Sequence, residues 1–298
     1  MKNFQWIVCD LDGTLLNSAG EITDENRKAV ELLNAKGKQV IIATGRHDLI
    51  AKKYYYELGL TTPIIACNGA LIKDILSDKV LYMKVIDSIV ASKVLNFCEL
   101  KQLDYLVYTP KAIYYSENSK RINIVREYNN SVNKELQAPI YSVKALDASN
   151  EDIIKVLVVS QDENILEKLH KGINKDDKLT IVSSGKGLID IMSSGISKGG
   201  ALIALSEQLD MDLKATVVFG DNYNDASMFK VAGLSVAVAN AEAELKHIAT
   251  HITLSNDESG VSHGIYKYIL RVHPEKIEKN AAEIGVAYKL NPEKTCFY

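Results

Sequence analysis

The sequence predicts an α/β fold, a doubly wound and mostly parallel core sheet interrupted by an inserted α+β unit. Three observations predict it. Short apolar runs of strand length alternate with amphipathic helix-length segments through the first 70 residues. The alternation loosens between about residues 84 and 188 and resumes from Lys198. The strand-length runs are apolar throughout, as strands covered on both faces must be.

The elements follow in order. Trp6 to Cys9 is the first strand. A helix runs from about Thr23 to Lys36, with Thr23 or Asp24 as N-cap, Ala29, Leu32 and Leu33 on one face, and Gly37 as its stop. Val40 to Ala43 is the second strand, His47 to Leu58 a helix ended by Gly59, and Ile64 to Ala66 a third strand running into the turn pair Asn68-Gly69. In the loosened region, helix Ser88 to Lys101 mixes with strands Ala112 to Tyr115 and Ile154 to Val159. Alternation then resumes with helix Lys198 to Leu209, strand Thr216 to Phe219, helix Tyr223 to Val231 and strand Ser235 to Val238. The core is therefore expected to be discontinuous, 1–83 with 189–272, around a unit at 84–188, with crossings near 82–86 and 184–190. A Lys- and Glu-rich extension at 273–298 has no legible role, although Ile277, Ile284, Val286 and Leu290 favour packing.

Composition excludes several classes. The 298 residues, 47% hydrophobic and 24% charged, suit one large or two modest globular domains rather than disorder. A net charge of −3 gives no basic excess for a nucleic-acid backbone, so no nucleic-acid partner is expected. No apolar run reaches the roughly 20 residues of a membrane span, and the N-terminal stretch lacks a signal peptide's apolar core. Cys9, Cys67, Cys98 and Cys296 form no Cys-x-x-Cys pair and read as reduced, mostly buried thiols. A cytoplasmic protein is expected. Oligomeric state is not legible.

The chemistry sits at strand ends. The first strand runs into Asp10-Leu11-Asp12-Gly13-Thr14, two carboxylates where α/β sheets bind ligands, or else an Asp-Gly turn. An EF-hand loop is excluded because Gly13 falls fourth rather than sixth. A second acidic cluster, Gly220-Asp221-Asn222-Tyr223-Asn224-Asp225, also follows a strand; helix capping accounts for one of these residues and leaves the others. Two parallel strands ending in carboxylates suggest one divalent-cation site, and hard oxygens without Cys or His favour Mg²⁺. Thr44-Gly45-Arg46 offers a hydroxyl and an approachable N–H at a helix start, a natural anion site, and Lys198 opens another helix.

This ordered set resembles the haloacid dehalogenase-like (HAD) hydrolase superfamily, whose four motifs correspond to Asp10-Leu11-Asp12-Gly13-Thr14, Thr44, Lys198 and Gly220-Asp221-x-x-Asn224-Asp225. Asn68-Gly69-Ala70, Gly195-Ile196-Ser197-Lys198-Gly199 and Ser259-Gly260-Val261 are similar to its Cof-type branch, which carries a C2 cap between the second and third motifs. The resemblance covers about residues 4 to 270 and is only architectural over the cap. It implies a Rossmann-like core and a phosphoric monoester hydrolase. Asp10 is implied as nucleophile and Asp12 as acid and base. The implied Mg²⁺ ligands are Asp10, the Asp12 backbone carbonyl and Asp221. Thr44, Gly45 and Lys198 are implied to hold the phosphate, with Asn224 and Asp225 in support. Arg46, Asn68 and Asn224 are the candidate substrate contacts. The implied partner is a small phosphorylated metabolite, sugar phosphates first and phosphorylated cofactors such as pyridoxal phosphate or flavin mononucleotide behind. A phosphomutase of the same superfamily and a non-catalytic phosphate-ligand sensor are the alternatives.

Other features read as structural. No Gly-x-x-x-x-Gly-Lys-Ser/Thr or Gly-x-Gly-x-x-Gly loop follows a strand, which excludes the usual kinase and dehydrogenase motifs. His247 and His251 are four apart, but a strand beginning near His251 breaks a shared helix face. Tyr105, Tyr108, Tyr114, Tyr115, Tyr128 and Tyr141 are packing residues first and substrate contacts second.

Overall fold

A computed structural model describes residues 3–162, 164–173, 178–185 and 187–271. The C-terminal extension, Cys296, and Ile277, Ile284, Val286 and Leu290 lie outside the described residues. In chain order the elements are β1 (Trp6–Cys9), α1 (Asp24–Ala35), β2 (Gln39–Ile42), α2 (Asp48–Glu57), β3 (Ile64–Ala66), β4 (Leu71–Asp74), β5 (Lys79–Met83) and α3 (Ser88–Leu100). There follow β6 (Asp104–Tyr108), β7 (Ile113–Tyr115), α4 (Ile122–Ser131), β8 (Ile140–Ser142), β9 (Lys155–Val159), α5 (Ile165–Ile173), β10 (Leu179–Gly185) and β11 (Leu188–Ser193). The chain continues with α6 (Lys198–Leu209), β12 (Thr216–Gly220), α7 (Ala226–Val231), β13 (Leu234–Ala237), α8 (Ala243–Ile248), β14 (His251–Ile252) and α9 (Gly260–Gly264).

The core sheet runs β14-β13-β12-β1-β2, all parallel. Period-two alternation sorts its side chains into two apolar layers. Ile7, Cys9, Val40, Ile42, Val217 and Phe219 pack with Ala29, Leu33, Val261 and Ile265 of α1 and the C-terminal turns. Val8, Ile41 and Val218 pack with Leu202, Leu205, Met228 and Phe229 of α6 and α7. This is the doubly wound sheet expected. The chain goes from β1 outward to β2 and later returns to β1's other side with β12, so the switch point lies at the carboxyl end of β1.

The insertion forms a six-stranded sheet, β10-β11-β9-β6-β7-β8, antiparallel except between β7 and β8. One face packs under α3 and α5 through Val94, Leu95, Val107, Val156 and Leu169. The other face, with Leu106, Tyr108, Leu157 and Met192, shares a buried cluster with α4 and with Leu49, Ile50, Cys67 and Leu71 of the core. The cap thus closes over the end of the core sheet. Because β11 belongs to this sheet through Ser193, the return crossing follows Ser193 rather than falling at 184–190.

Two local expectations change. The helix expected over Tyr223–Val231 divides into a single tight turn, Tyr223–Asp225, and then α7. A reciprocal capping box between Asn222 and Asp225 tightens that turn. The third strand, β3, pairs antiparallel with β4, which pairs with β5, and meets the core sheet at the isolated Ala43–Ile65 bridge. The Asn68-Gly69 turn allows this, with left-handed backbone at both residues; a Cβ on Gly69 would stand 2.4 Å from the Ser197 carbonyl oxygen. Cys9, Cys67 and Cys98 are free and buried. Among the described residues no helix is long and apolar enough to cross a membrane.

Candidate active site

Three strand ends deliver the site. β1 hands its last ladder bond to Asp10, whose N–H donates to the Phe219 carbonyl at 3.1 Å. The chain then makes a wide turn, Leu15 N–H to Asp10 carbonyl at 3.3 Å and Leu16 N–H to Leu11 carbonyl at 2.9 Å, with φ +76° at Gly13. Only glycine serves there twice over, since a Cβ would sit 2.5 Å from Asp221 Oδ2. Thr14 Oγ1 donates to Asp221 Oδ1 at 2.8 Å, and Asn240 Nδ2 donates to the Gly13 carbonyl at 2.7 Å. The β1 turn and the β12 end are thereby fixed to each other.

After β12, Asp225 folds back on its own loop. Its Oδ2 accepts the N–H groups of Asp221 at 3.0 Å and Asn222 at 3.1 Å, while Oδ1 accepts from Lys198 Nζ at 2.7 Å. Lys198, at the start of α6 and without solvent exposure, also donates to Asp10 Oδ1 at 2.6 Å. Burial works against the Lys198 charge, but Asp10 and Asp225 outweigh it and hold the ammonium above the usual lysine range. Burial pushes Asp10 well above the ordinary carboxylate range; Lys198 pulls it back, and Asp225, Asp221 and Asp12 add to the rise. Asp221 is pushed up to about 6 by burial and then by Asp225.

The charge sum tests for a metal. Asp10, Asp221 and Asp225 each offer an oxygen within 4.8 Å of the others, and Lys198 supplies one positive charge against their three negative ones. A divalent cation completes the balance, and an all-oxygen donor set suits a hard ion. Both Asp225 oxygens already accept from the protein, so Asp10 and Asp221 are the carboxylates with capacity to spare. The residues fit a metal ion.

The candidate anion-binding residues follow the end of β2. Thr44 is buried, its N–H donating to the Ile65 carbonyl at 2.8 Å and its hydroxyl accepting the Arg46 N–H at 3.0 Å. The hydroxyl proton is left to donate. Arg46 grips Asp12 with both arms, Nε to Oδ2 at 2.7 Å and Nη2 to Oδ1 at 2.5 Å, and lies over the Tyr54 ring. Burial opposes the Arg46 charge and Asp12 outweighs it, raising the guanidinium further. The Asp12 side chain is 57% exposed, so this pair is a surface one worth about 0–1 kcal/mol, cheap to open for a ligand.

The cap reaches this centre through buried polar groups. Lys155 of β9 donates to the Gly45 carbonyl at 2.7 Å, pairs with Asp190 of β11 at 2.9 Å, and lies 4.7 Å from the Tyr108 ring centre. Asn68 Nδ2 donates to Asp190 Oδ2 at 2.6 Å, and Asn68 Oδ1 accepts from Asn224 Nδ2 at 3.0 Å. His47, the N-cap of α2, sets its Nε2 2.6 Å from the Thr109 carbonyl and its Nδ1 2.6 Å from Asp48.

Between core and cap lies a cleft of about 260 Å³. Its core wall includes Asp10, Asp12, Gly45, Arg46 and Asn224; its cap wall includes Tyr108, Arg121, Ile124, Tyr128, Lys155 and Asp190. Of the residues expected from sequence, Lys198 joins Asp10 to Asp225, Asp221 is held by Thr14, Thr44 bonds the Arg46 N–H, and Asn68 is buried where cap and core meet. Tyr108 and Tyr128 face the cleft. Tyr105 instead bonds Glu99, Tyr114 packs on Tyr141, and Tyr115 lies under Arg126. His247 and His251 fall on α8 and β14, with His251 stacked on Tyr268.

Sequence reading passed over Thr14, Asn240, Lys155, Asp190 and Arg121 as site residues. A signal existed for two of them. Lys155 and Asp190 each interrupt an apolar strand, Ile153-Ile154-Lys155-Val156-Leu157 and Ile189-Asp190-Ile191, and a lone charge in such a run must find a partner.

A parallel sheet with an acidic cluster and the buried Lys198 at its switch point is closed by a separate lid sheet. Comparison places it more closely. Residues 7–265 match the family model described as haloacid dehalogenase-like hydrolase, and the chain belongs to that family. Phosphatase YwpJ of Bacillus subtilis is 33% identical over 284 residues, 89% of this chain and 99% of that protein. The 5-amino-6-(5-phospho-D-ribitylamino)uracil phosphatase YwtE of the same organism is 31% identical, covering 87% and 96%. A haloacid dehalogenase-like hydrolase structure from B. subtilis superposes with a TM-score of 0.77 at 32% identity, over 89% and 99% of the two chains. The protein is thus a HAD-like phosphatase, of a superfamily that generally uses a metal ion.

Proposed function

We propose that this protein is a Mg²⁺-dependent phosphatase of small phosphate monoesters, sugar phosphates first and phosphorylated cofactors second, acting in the cytoplasm through an aspartyl-phosphate. The observation that carries the reading is Asp10, a buried carboxylate at the switch point, opening on the cleft and bonded to Lys198. The catalytic core is residues 3–83 with the chain from about 194 to 271, and the cap lies between them.

Asp10, Asp221 and the Asp12 backbone carbonyl would hold the ion. When bound, it neutralises the negative charge that sets an anionic nucleophile against an anionic ester. The Asp10 carboxylate forms its bond to phosphorus as the ester oxygen leaves, and Asp12 gives that oxygen a proton. Water then attacks the same phosphorus, Asp12 takes its proton, and the Asp10 carboxylate is released with free phosphate. Lys198, the Thr44 hydroxyl and the Gly45 N–H hold the transferring oxygens, so positioning and electrostatics supply most of the acceleration. Arg46 keeps Asp12 at the mouth until an ester enters.

Phosphate release from a panel of sugar phosphates, nucleotides and phosphorylated cofactors, with and without Mg²⁺, tests the reading. Release that needs Mg²⁺ and is absent from Asp10→Asn supports it. Isomeric sugar phosphates without free phosphate would make the protein a mutase instead.

A further inference from the structure

Among the charged side chains that line the cleft, one has no side-chain partner among the described residues. On the core wall, Asp10 is matched by Lys198 and Asp12 by Arg46. On the cap wall, Lys155 is matched by Asp190, and Asp190 also accepts from Asn68. Arg121, at the start of α4, is different. Its backbone N–H is tied to Asp104 Oδ2 at 3.1 Å, and the Asp104 oxygens are otherwise taken by Ser119 and Lys120. Among the described residues its guanidinium has neither an ion pair nor a hydrogen bond, although it lines the cleft and is half-buried. The Tyr108 hydroxyl beside it likewise has no hydrogen-bond partner among the described residues.

The cleft that Arg121 shares with Asp10 is also lined by apolar and aromatic side chains, Ile50, Tyr108, Ile124, Tyr128 and Leu157. Ile124 leaves 47% of its surface exposed in doing so. One cleft therefore combines the Asp10 carboxylate, apolar walls and a cation without a side-chain partner. A guanidinium presents a planar fork of donors that fits carboxylate and phosphate oxygens bidentately, and partial burial strengthens such a bond.

Building on the phosphatase reading, we propose that Arg121 is a specificity-determining residue, and that the substrate carries a second anionic group, a carboxylate or a second phosphate, on its leaving group. The phosphoryl group sits at Asp10 and the second anion on the Arg121 fork, with Tyr108 supplying a further donor. The core then performs the transfer while Arg121 selects which ester is presented.

Matched pairs of esters test this. Gluconate 6-phosphate and glucitol 6-phosphate differ only in a terminal carboxylate; fructose 1,6-bisphosphate and fructose 6-phosphate differ in a second phosphate. The wild-type protein is expected to favour the more anionic member of at least one pair by about tenfold or more in kcat/KM, expressed in KM, as a charge-assisted bond allows. The pair that discriminates says which anion is read. Arg121→Gln should collapse that ratio toward one, and Arg121→Lys should keep part of it. Equal treatment of both pairs by the wild-type protein, or a ratio unchanged in Arg121→Gln, would overturn the proposal. Calorimetric binding of the same pairs to Asp10→Asn reads the ratio without turnover. A protein that releases no phosphate from any ester yet binds the anionic member more tightly through Arg121 would retain this inference and refute the phosphatase reading.

Discussion

The two walls of the cleft are built by different rules. On the core wall, short contiguous motifs at the ends of parallel strands bring Asp10, Asp12, Thr44, Gly45 and Asp221 together, and the helix start at Lys198 closes the set. The cap wall is lined by residues more than thirty positions apart, Arg121, Lys155 and Asp190, each from a different element. The difference teaches where constraint lies. A transferring phosphoryl group has one shape and charge, so the core needs a fixed constellation. Leaving groups vary, so the cap need only offer a surface, locked to the core by a few buried polar bonds.

Breaking the core wall should have the largest effect. Asp10→Asn is expected to lower kcat by at least about a thousandfold while the fold is kept, since it removes the proposed nucleophile in a near-isosteric exchange; steady-state phosphate release and a thermal melt check both halves. Lys198→Met should cost activity and stability together. It leaves Asp10 and Asp225 buried without their cation, a loss of about 3–5 kcal/mol visible in denaturant unfolding.

Breaking the bridge between the walls should come next. Lys155→Met strands Asp190 in the interior and frees the Gly45 carbonyl, with an expected cost of about 3–5 kcal/mol. Because Lys155 acts through the cap, replacing both partners with apolar residues, Lys155→Met with Asp190→Leu, should recover much of the stability and leave KM raised. If the double variant is no more stable than the single, the pair is not a coupled unit.

Two pH effects are smaller. Asp221 keeps its proton up to about pH 6 in the metal-free protein, so a cation must displace that proton below this point and does not above it. Added Mg²⁺ should therefore raise the melting temperature more at pH 8 than at pH 5. Asp48 is held down to about 2, burial opposing the charge but His47 and Lys73 outweighing it. A carboxylate lowered on folding contributes stability above its unfolded value, lost as pH falls toward 2, here about 2 kcal/mol. Asp48→Asn should narrow the difference in melting temperature between pH 6 and pH 3.

Much of the core wall was legible in sequence because its residues adjoin the strands that position them. Asp10 follows the apolar run Trp6 to Cys9, and Asp221 follows Val217 to Gly220, so register and switch point come with the motif. The cap wall was not legible for a physical reason. Lys155 and Asp190 meet only because β9 pairs with β11, Arg121 joins them in the cleft from the start of α4, and strand pairing across long insertions leaves no local signature. The return crossing was misplaced on the same account: β11 reads as the end of the insertion or the beginning of the core until its partner, β9, is known. Asn68 shows a residue whose type was noticed and whose use was not. Its amide spans Asp190 and Asn224 and so joins cap to core.

The central claim is that Asp10 takes the phosphoryl group. The most direct test is rapid acid quench of the protein with Mg²⁺ and a turned-over ester, followed by mass analysis of the proteolytic peptides. The account predicts a phosphoryl adduct on the peptide carrying Asp10, absent from Asp10→Asn and from protein stripped of metal. Free phosphate produced in full turnover with no adduct at any quench time, or with the adduct on another residue, would contradict it.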